Sequence, residues 1–134
     1  MKKGLVIIGV VAVSSIVLIS AGPQTKKTWE IPDKYKTMKN PVKVSESGMD
    51  DAKDLWNKQC KSCHGSNGAG DGIKAKNLKK SCGNFTTTEF ASLSDGSIMY
   101  LSFINKNEDH DFDKKIPDDV DRWNLVNYIR TLKK

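Results

Sequence analysis

The pentapeptide Cys60-Lys61-Ser62-Cys63-His64 constrains this chain more than any other sequence feature, because the 134 residues include only 3 cysteines and 2 histidines. Two thiols separated by two residues on a helical turn can both reach the vinyl groups along one edge of a porphyrin and form thioethers. The imidazole of the next residue can then reach the iron. The motif therefore predicts covalent attachment of one haem c through Cys60 and Cys63, with His64 as the proximal iron ligand.

Two other chemistries use the same residue types. Cys60, Cys63, His64 and Cys82 could together bind zinc, but the adjacent Cys63 and His64 would both have to turn toward one tetrahedral ion, which the usual ligand spacings avoid. A Cys60–Cys63 redox disulfide is typical of a βαβ context, and the sequence contains no alternating strand pattern. Cys82 is the remaining thiol. It is either buried and without a function, or exposed and able to pair with a cysteine of another molecule.

The N-terminal segment predicts export. Residues 5–21 are uncharged, mostly apolar and preceded by Lys2 and Lys3. Their length lies at the lower limit of a spanning helix, roughly 17 to 25 residues, and above the apolar stretch of about 7 to 15 residues in a cleaved signal. Residues 1–21 are therefore predicted to be a signal anchor or a signal peptide. Everything after Ala21 is expected on the periplasmic side of a bacterial cell envelope, anchored to the inner membrane or soluble.

A linker-like segment follows. Residues 22–47 contain three prolines and six lysines without a sustained apolar period, which predicts a tether. Trp29 and Tyr35 are unusual in a solvated linker. Either Trp29 anchors at the membrane surface, or the stretch from Trp29 to Met38 packs on the domain.

Residues 48–134 are predicted to form a compact helical domain. Asp50 and Asp51 are suitable N-caps, and the spacing of the apolar residues predicts an amphipathic helix over 50–62 whose last turn carries the cysteines. Shorter helices are expected near 74–80, 87–92 and 95–105, and a strong helical stripe covers 118–132 after Pro117. The pattern predicts an all-α fold.

Several short motifs, in this order and spacing, resemble a mono-haem class I cytochrome c. They are CKSCHG at 60–65, NGAGDG at 67–72, FTTTEF at 85–90, SDGSIMY at 94–100 and DRWNLVNYIRTL at 121–132. The similarity covers about residues 48–133. It implies the cytochrome c fold, with about four to five helices around one haem and the first and last helices crossing closely. Ala52 then stands where the family usually has glycine, and Trp56 and Tyr128 stand at aromatic crossing positions.

The resemblance also implies a sixth iron ligand, usually a methionine in a pattern like Met-Pro-x-Phe before the last helix. This chain departs from that pattern: counting from Gly96 to Phe112 places the expected methionine on Asp109, next to His110. A neutral imidazole is a normal haem ligand, so His110 is the candidate distal ligand. The alternatives are an exposed loop histidine with an open or water-bound iron, and Met99, whose default role is core packing.

The charge pattern predicts protein partners. Residues 22–82 hold 13 basic and 7 acidic side chains, whereas residues 83–134 hold 7 basic and 9 acidic ones. The lysines near the haem motif favour redox partners with acidic docking surfaces. Residues 5–21 supply the membrane contact, and an exported protein does not meet nucleic acid.

These observations predict an electron carrier rather than an enzyme, with no small-molecule substrate, in a respiratory or other membrane-linked electron-transfer chain. The alternative is a haem enzyme or gas sensor, peroxidase-like, with an open sixth iron position. No acid/base pair suited to peroxide cleavage is visible in the sequence, so the sequence favours the carrier over the enzyme.

Overall fold

The computed structural model describes residues 29–105, 111–112 and 114–132, and all regular structure within them is helical. This confirms the predicted all-α fold. The α-helices are α1 (Asp33–Lys36), α2 (Glu46–Leu55), α3 (Lys61–His64), α4 (Thr88–Ala91), α5 (Asp95–Met99) and α6 (Asp119–Thr131). Two π-helical turns, Trp56–Cys60 and Tyr100–Ile104, follow α2 and α5, and one 3-10 turn spans Ala75–Asn77.

Helix α2 begins earlier than the sequence predicts. Ser45, rather than Asp50 or Asp51, is the N-cap, and its hydroxyl accepts a hydrogen bond from the backbone N–H of Gly48 at 3.2 Å. A serine hydroxyl satisfies an N-terminal amide as well as a carboxylate does, so the two aspartates lie inside the helix. Helical structure then continues through the π-turn and α3 as far as His64.

Helices α2 and α6 cross in close contact, as the resemblance implies. Ala52 and Leu125 are fully buried at this crossing, and Trp56 is 1% exposed. Gly48 lies one turn before Ala52, and a β-carbon built there would stand 2.8 Å from the side-chain oxygen of Asn124. A side chain at position 48 would therefore have to displace the Asn124 side chain, while Ala52 fits within the core.

Helix α6 agrees closely with its prediction. The Asp118 carboxylate caps it, accepting from the backbone N–H groups of Val120 at 2.7 Å and Asp121 at 3.3 Å. Its apolar stripe lies in a core cluster that includes Trp56, Phe90, Ile98, Met99, Phe103, Ile116, Trp123, Val126 and Ile129. The helix thus provides one wall of the core against which the remaining elements pack.

Two of the shorter predicted helices differ in type or length. The segment predicted as a helix near 74–80 forms only the Ala75–Asn77 turn, which ends where Leu78 adopts an extended backbone with ψ 143°. The segment predicted over 95–105 is helical to Ile104, but it changes from α to π winding at Tyr100. A π-turn has one more residue per hydrogen-bonded turn than an α-helix, and the spacing of apolar residues does not predict this extra residue.

Residues 29–44, here called the N-terminal strap, pack against the domain. Ile31 is buried, and the ring of Tyr35 lies over that of Tyr100 with centroids 4.8 Å apart. The side-chain amide of Asn40 donates to the backbone oxygen of Trp123 at 3.1 Å and to the side-chain oxygen of Asn127 at 2.9 Å. Of the two interpretations of this stretch, these contacts favour packing on the domain, so packed structure begins before residue 48.

The predicted export segment, residues 5–21, lies outside the described residues. Within the described part of the chain, no helix is both long and apolar enough to cross a bilayer.

Candidate haem-binding site

The two motif cysteines and the histidine lie on one continuous helical run. Cys60 ends the π-turn, and Cys63 and His64 form the last residues of α3. Both thiols are half-buried, and the imidazole of His64 is buried. Burial raises the pKa of the Cys60 thiol to about 12, and the neighbouring Cys63 adds to the rise. The thiol is therefore neutral at physiological pH, which marks its surroundings as apolar.

A glycine-rich loop folds back onto the motif and binds its carbonyl groups. The backbone N–H of Gly70 donates to the carbonyl oxygen of His64 at 2.9 Å. The N–H of Gly72 donates to the carbonyl oxygen of Cys63 at 3.1 Å, and the N–H of Lys74 donates to that of Ser62 at 2.8 Å. A β-carbon at position 72 would stand 2.4 Å from the Ser62 oxygen, so only glycine permits this approach. The loop therefore holds the backbone of the motif in place through three consecutive carbonyls.

Cys82 contacts the motif directly, a relationship that no spacing in the sequence signals. Its thiol donates to the backbone oxygen of Cys63 at 3.2 Å, and the residue is half-buried. None of the three cysteines forms a disulfide. In the part of the chain that the structure describes, no group of three or more His, Cys, Asp or Glu side chains is arranged to hold a metal ion.

Aromatic rings surround the buried imidazole. The ring of Phe85 lies 4.5 Å from that of His64, and Phe90 stacks on Phe85 at 4.4 Å with 17° between the planes. The centroid of the Trp56 ring lies 5.9 Å from that of His64 and 5.9 Å from that of Tyr128. The resemblance implies that Trp56 and Tyr128 stand at a helix crossing, whereas nothing in the sequence signals that Phe85 neighbours the histidine.

The residues at this site fit a covalently attached haem. Two thiols and an imidazole share one helical run, and apolar rings provide the surface that a porphyrin requires. Among the described residues, no protein atom accepts a hydrogen bond from the buried indole N–H of Trp56, so this apolar region also contains a polar group that the protein does not satisfy.

Of the two candidate distal ligands, the structure describes only Met99. His110, and with it Asp109, lies outside the described residues. Met99 is 5% exposed and belongs to the core cluster with Ile98 and Phe103. Its position agrees with the core-packing role that its place in the helix suggests.

The surface around the motif is basic. The segment from Leu55 to Thr88 contains one carboxylate, Asp71, and six lysines, all exposed: Lys58, Lys61, Lys74, Lys76, Lys79 and Lys80. Such an imbalance produces a local positive potential that attracts acidic surfaces.

The sequence model of the family described as cytochrome c matches residues 49–133. A solved chain of a reducing HAO-like protein complex from Kuenenia stuttgartiensis is similar, with 26% sequence identity and a TM-score of 0.59. The similarity covers 70% of this chain and 47% of that one, so this chain matches about half of the solved chain's length. No curated protein sequence matches the chain.

Proposed function

The chain belongs to the cytochrome c family, and from this premise we propose that it is a one-electron carrier rather than an enzyme. Proteins of this family carry covalent haem c and use it for electron transfer, and the matched residues 49–133 include the whole Cys60–His64 motif. The haem supplies a single reversible change between Fe(II) and Fe(III). The protein's task is to attach the haem, ligate it, shield it from water and present it to partners.

We assign the attachment to the motif residues. Cys60 and Cys63 form the thioethers, and His64 is the proximal iron ligand. The observation that carries this assignment is the buried His64 beside two half-buried thiols on one helical run, with the loop bound to the carbonyls of residues 62–64. Groups held this rigidly need little rearrangement when the iron changes its charge.

The aromatic residues have a separate task. Phe85 and Trp56 place their rings beside the buried imidazole, and Phe90 stacks on Phe85. A dry environment around a haem is one of the means by which a protein sets the reduction potential of the iron. These side chains therefore tune the potential, and they take no part in bond making.

For the sixth iron position we propose His110, the second histidine of the chain. Support comes from the chemistry of imidazole as a haem ligand. A site with two histidines favours Fe(III) more than a histidine–methionine site does. The carrier would thus work at a lower potential than one with a methionine ligand.

We further propose that the carrier works on the periplasmic side of a bacterial inner membrane, in a respiratory or other membrane-linked chain. The uncharged residues 5–21 support the membrane attachment, and the exposed lysines around the motif support docking on acidic redox proteins. The similar chain from Kuenenia stuttgartiensis belongs to a protein complex, which favours function in partnership with another redox protein.

A haem enzyme or gas sensor is the second candidate, because that similar chain comes from an HAO-like complex. The two functions differ at the sixth iron position. A carrier has low-spin iron in both oxidation states and does not bind carbon monoxide. An enzyme or sensor with an open position shows high-spin iron that binds carbon monoxide, and this spectrum in the purified wild-type protein would contradict the carrier.

Covalent attachment is tested after expression with a haem-maturation system. The protein should stay red through denaturation and extraction with acidified organic solvent, because thioethers survive both treatments. The double variant Cys60→Ala/Cys63→Ala should release its haem, whereas the control Cys82→Ala should retain it. Extraction of the haem from the wild-type protein would contradict the assignment.

A further inference from the structure

The N-terminal strap is bonded to one particular part of the domain, the helical run that α5 and the following π-turn form. The hydroxyl of Ser94, the N-cap of α5, donates to the backbone oxygen of Tyr35 at 3.1 Å. The backbone N–H of Gly96 donates to the Met38 oxygen at 3.1 Å. Further along, the ring of Tyr35 packs against that of Tyr100, with centroids 4.8 Å apart. The strap therefore contacts the run from its N-cap to the start of the π-turn.

The ring contact lies where the winding of the run changes. Helix α5 ends at Met99, and the π-turn begins at Tyr100 and ends at Ile104. Single π-turns within helices are frequently found at functional sites. Ile98 and Phe103 of the run are buried in the core. The core thus fixes the inner side of the run, and the strap fixes its outer side.

The run leads along the chain to the proposed sixth iron ligand. The backbone N–H of Asn105 donates to the Tyr100 oxygen at 2.7 Å, which fixes the end of the run. On the other side of the ligand, Phe112 packs against the core cluster, and its carbonyl accepts from the N–H of Ile116 at 2.8 Å. His110 belongs to the connection between these two fixed points, five residues after Asn105.

The positions of these two points affect how firmly a ligand on the connection binds iron. A group whose neighbours along the chain are already in place loses less conformational entropy when its bond forms, so it binds more tightly. One of the two points, Asn105, is bonded to Tyr100, and Tyr100 is the residue against which the strap places its ring.

We infer that the N-terminal strap positions the sixth iron ligand and that Tyr35 is its positioning residue, acting through Tyr100 and the helical run. This inference rests on the proposed carrier function, with His110 as the sixth ligand, and deepens it. The strap gives the carrier a firmly ligated iron although the sequence lacks the methionine that is usual at this position.

Cyanide binding tests this inference in the haem-loaded full chain. Cyanide competes with the protein's own sixth ligand for ferric iron, so its apparent affinity reports how firmly that ligand is bound. Tyr35→Leu removes the ring contact and should raise the apparent affinity for cyanide about two- to tenfold, the range expected from the loss of one aromatic pair. Tyr35→Phe retains the ring and should bind cyanide as the wild-type protein does. Spectrophotometric titration measures each affinity.

Asn40 provides the matched control within the strap. Its amide bonds to the Trp123 carbonyl and to the Asn127 side chain, which belong to α6 and not to the run. Asn40→Ala should therefore reduce stability in denaturant but leave the cyanide affinity unchanged. An equal rise in cyanide affinity for Asn40→Ala and Tyr35→Leu would show general loosening of the domain and overturn the inference.

The His110→Ala variant shows whether Tyr35 acts through the sixth ligand. Its iron is expected to be open, so adding Tyr35→Leu should cause no further change in cyanide affinity. A further rise in this double variant would mean that Tyr35 affects the haem by another route, and the inference would be wrong.

Three other outcomes separate this inference from the proposals on which it rests. If Tyr35→Leu binds cyanide as the wild-type protein does, the strap does not position the ligand, and the carrier function stands. If His110→Ala stays low-spin, the ligand assignment fails, and this inference fails with it. If the wild-type iron is high-spin and binds carbon monoxide, the carrier proposal itself fails, together with the inference.

Discussion

The backbone N–H of Gly96 donates to the carbonyl of Met38 at 3.1 Å, and this bond joins α5 to the N-terminal strap. The approach is so close that a β-carbon on Gly96 would stand 2.4 Å from the Tyr35 oxygen and 2.5 Å from the Met38 side chain. The hydroxyl of Ser94 also donates to the Tyr35 oxygen, at 3.1 Å. The strap is thus bound to the domain by backbone groups as well as by its buried Ile31.

Gly96→Ala should destabilise the protein by about 1 to 3 kcal/mol, because the added methyl group overpacks the contact with the strap. Denaturant unfolding followed by haem absorbance measures the change. In a chain that begins at Lys43 the same substitution should instead stabilise α5 by about 0.5 to 1 kcal/mol, since alanine suits a helix better than glycine does. Equal destabilisation in both chains would contradict the close contact with the strap.

Arg130→Lys should cost about 1 to 3 kcal/mol. The guanidinium donates to the Asp95 carboxylate at 2.7 and 2.9 Å, to the Leu93 carbonyl at 2.6 Å and to that of Ala91 at 3.2 Å. A lysine ammonium cannot make these four hydrogen bonds with the planar, branched geometry of the guanidinium. The substitution therefore removes the link between α6 and the junction of α4 with α5.

Asp95→Asn is the control for Arg130. It removes the negative charge and keeps an acceptor oxygen, and because the two side chains are about one-third exposed, the charge itself contributes under about 1 kcal/mol. A loss for Asp95→Asn as large as that for Arg130→Lys would show that charge, not the set of carbonyl contacts, holds the junction together.

The haem-loaded protein should contain one titratable thiol when it is denatured, because Cys60 and Cys63 are consumed as thioethers and Cys82 is not. Disulfide-exchange reagents added in denaturant count the thiols directly. Cys82→Ser should reduce the count to zero without releasing haem. A wild-type count of three, or a Cys82→Ser count above zero, would contradict attachment through both motif cysteines.

Met99→Leu should leave the spectrum of the haem protein unchanged, because His110 and not Met99 is the proposed ligand and leucine fills a similar volume in the core. His110→Ala should make the iron high-spin and open to carbon monoxide. A far-red charge-transfer band from methionine sulfur to iron in the wild-type ferric protein would rule out His110 as the distal ligand.

Ligation by His110 should weaken as the pH falls. Only the neutral imidazole binds iron, so acid favours the protonated, dissociated form. The nearby Glu108, Asp109, Asp111 and Asp113 stabilise that protonated form further. A spectrophotometric titration toward acid should therefore show loss of the low-spin spectrum in the wild-type protein and no corresponding transition in His110→Ala.

Local sequence determined the chemistry of this protein. The spacing of Cys60, Cys63 and His64 acts within one helical turn, so neighbours along the chain are enough to predict it. Helix α6 is equally predictable, because the Asp118 cap and the apolar stripe indicate the same helix. The start of α2 differs from its prediction because Ser45, Asp50 and Asp51 are all good caps, and local sequence does not rank them; the structure uses Ser45.

Tertiary structure decided everything that depends on contacts between distant, aperiodic segments. The strap looks like a tether in sequence because its anchors are isolated residues, Ile31, Tyr35 and Asn40, whose partners lie tens of residues away. The bond from Cys82 to Cys63 and the exposure of Ile73 arise in the same way. Periodicity reports which face of one element is apolar, whereas burial of a single loop residue depends on which other segments fold against it.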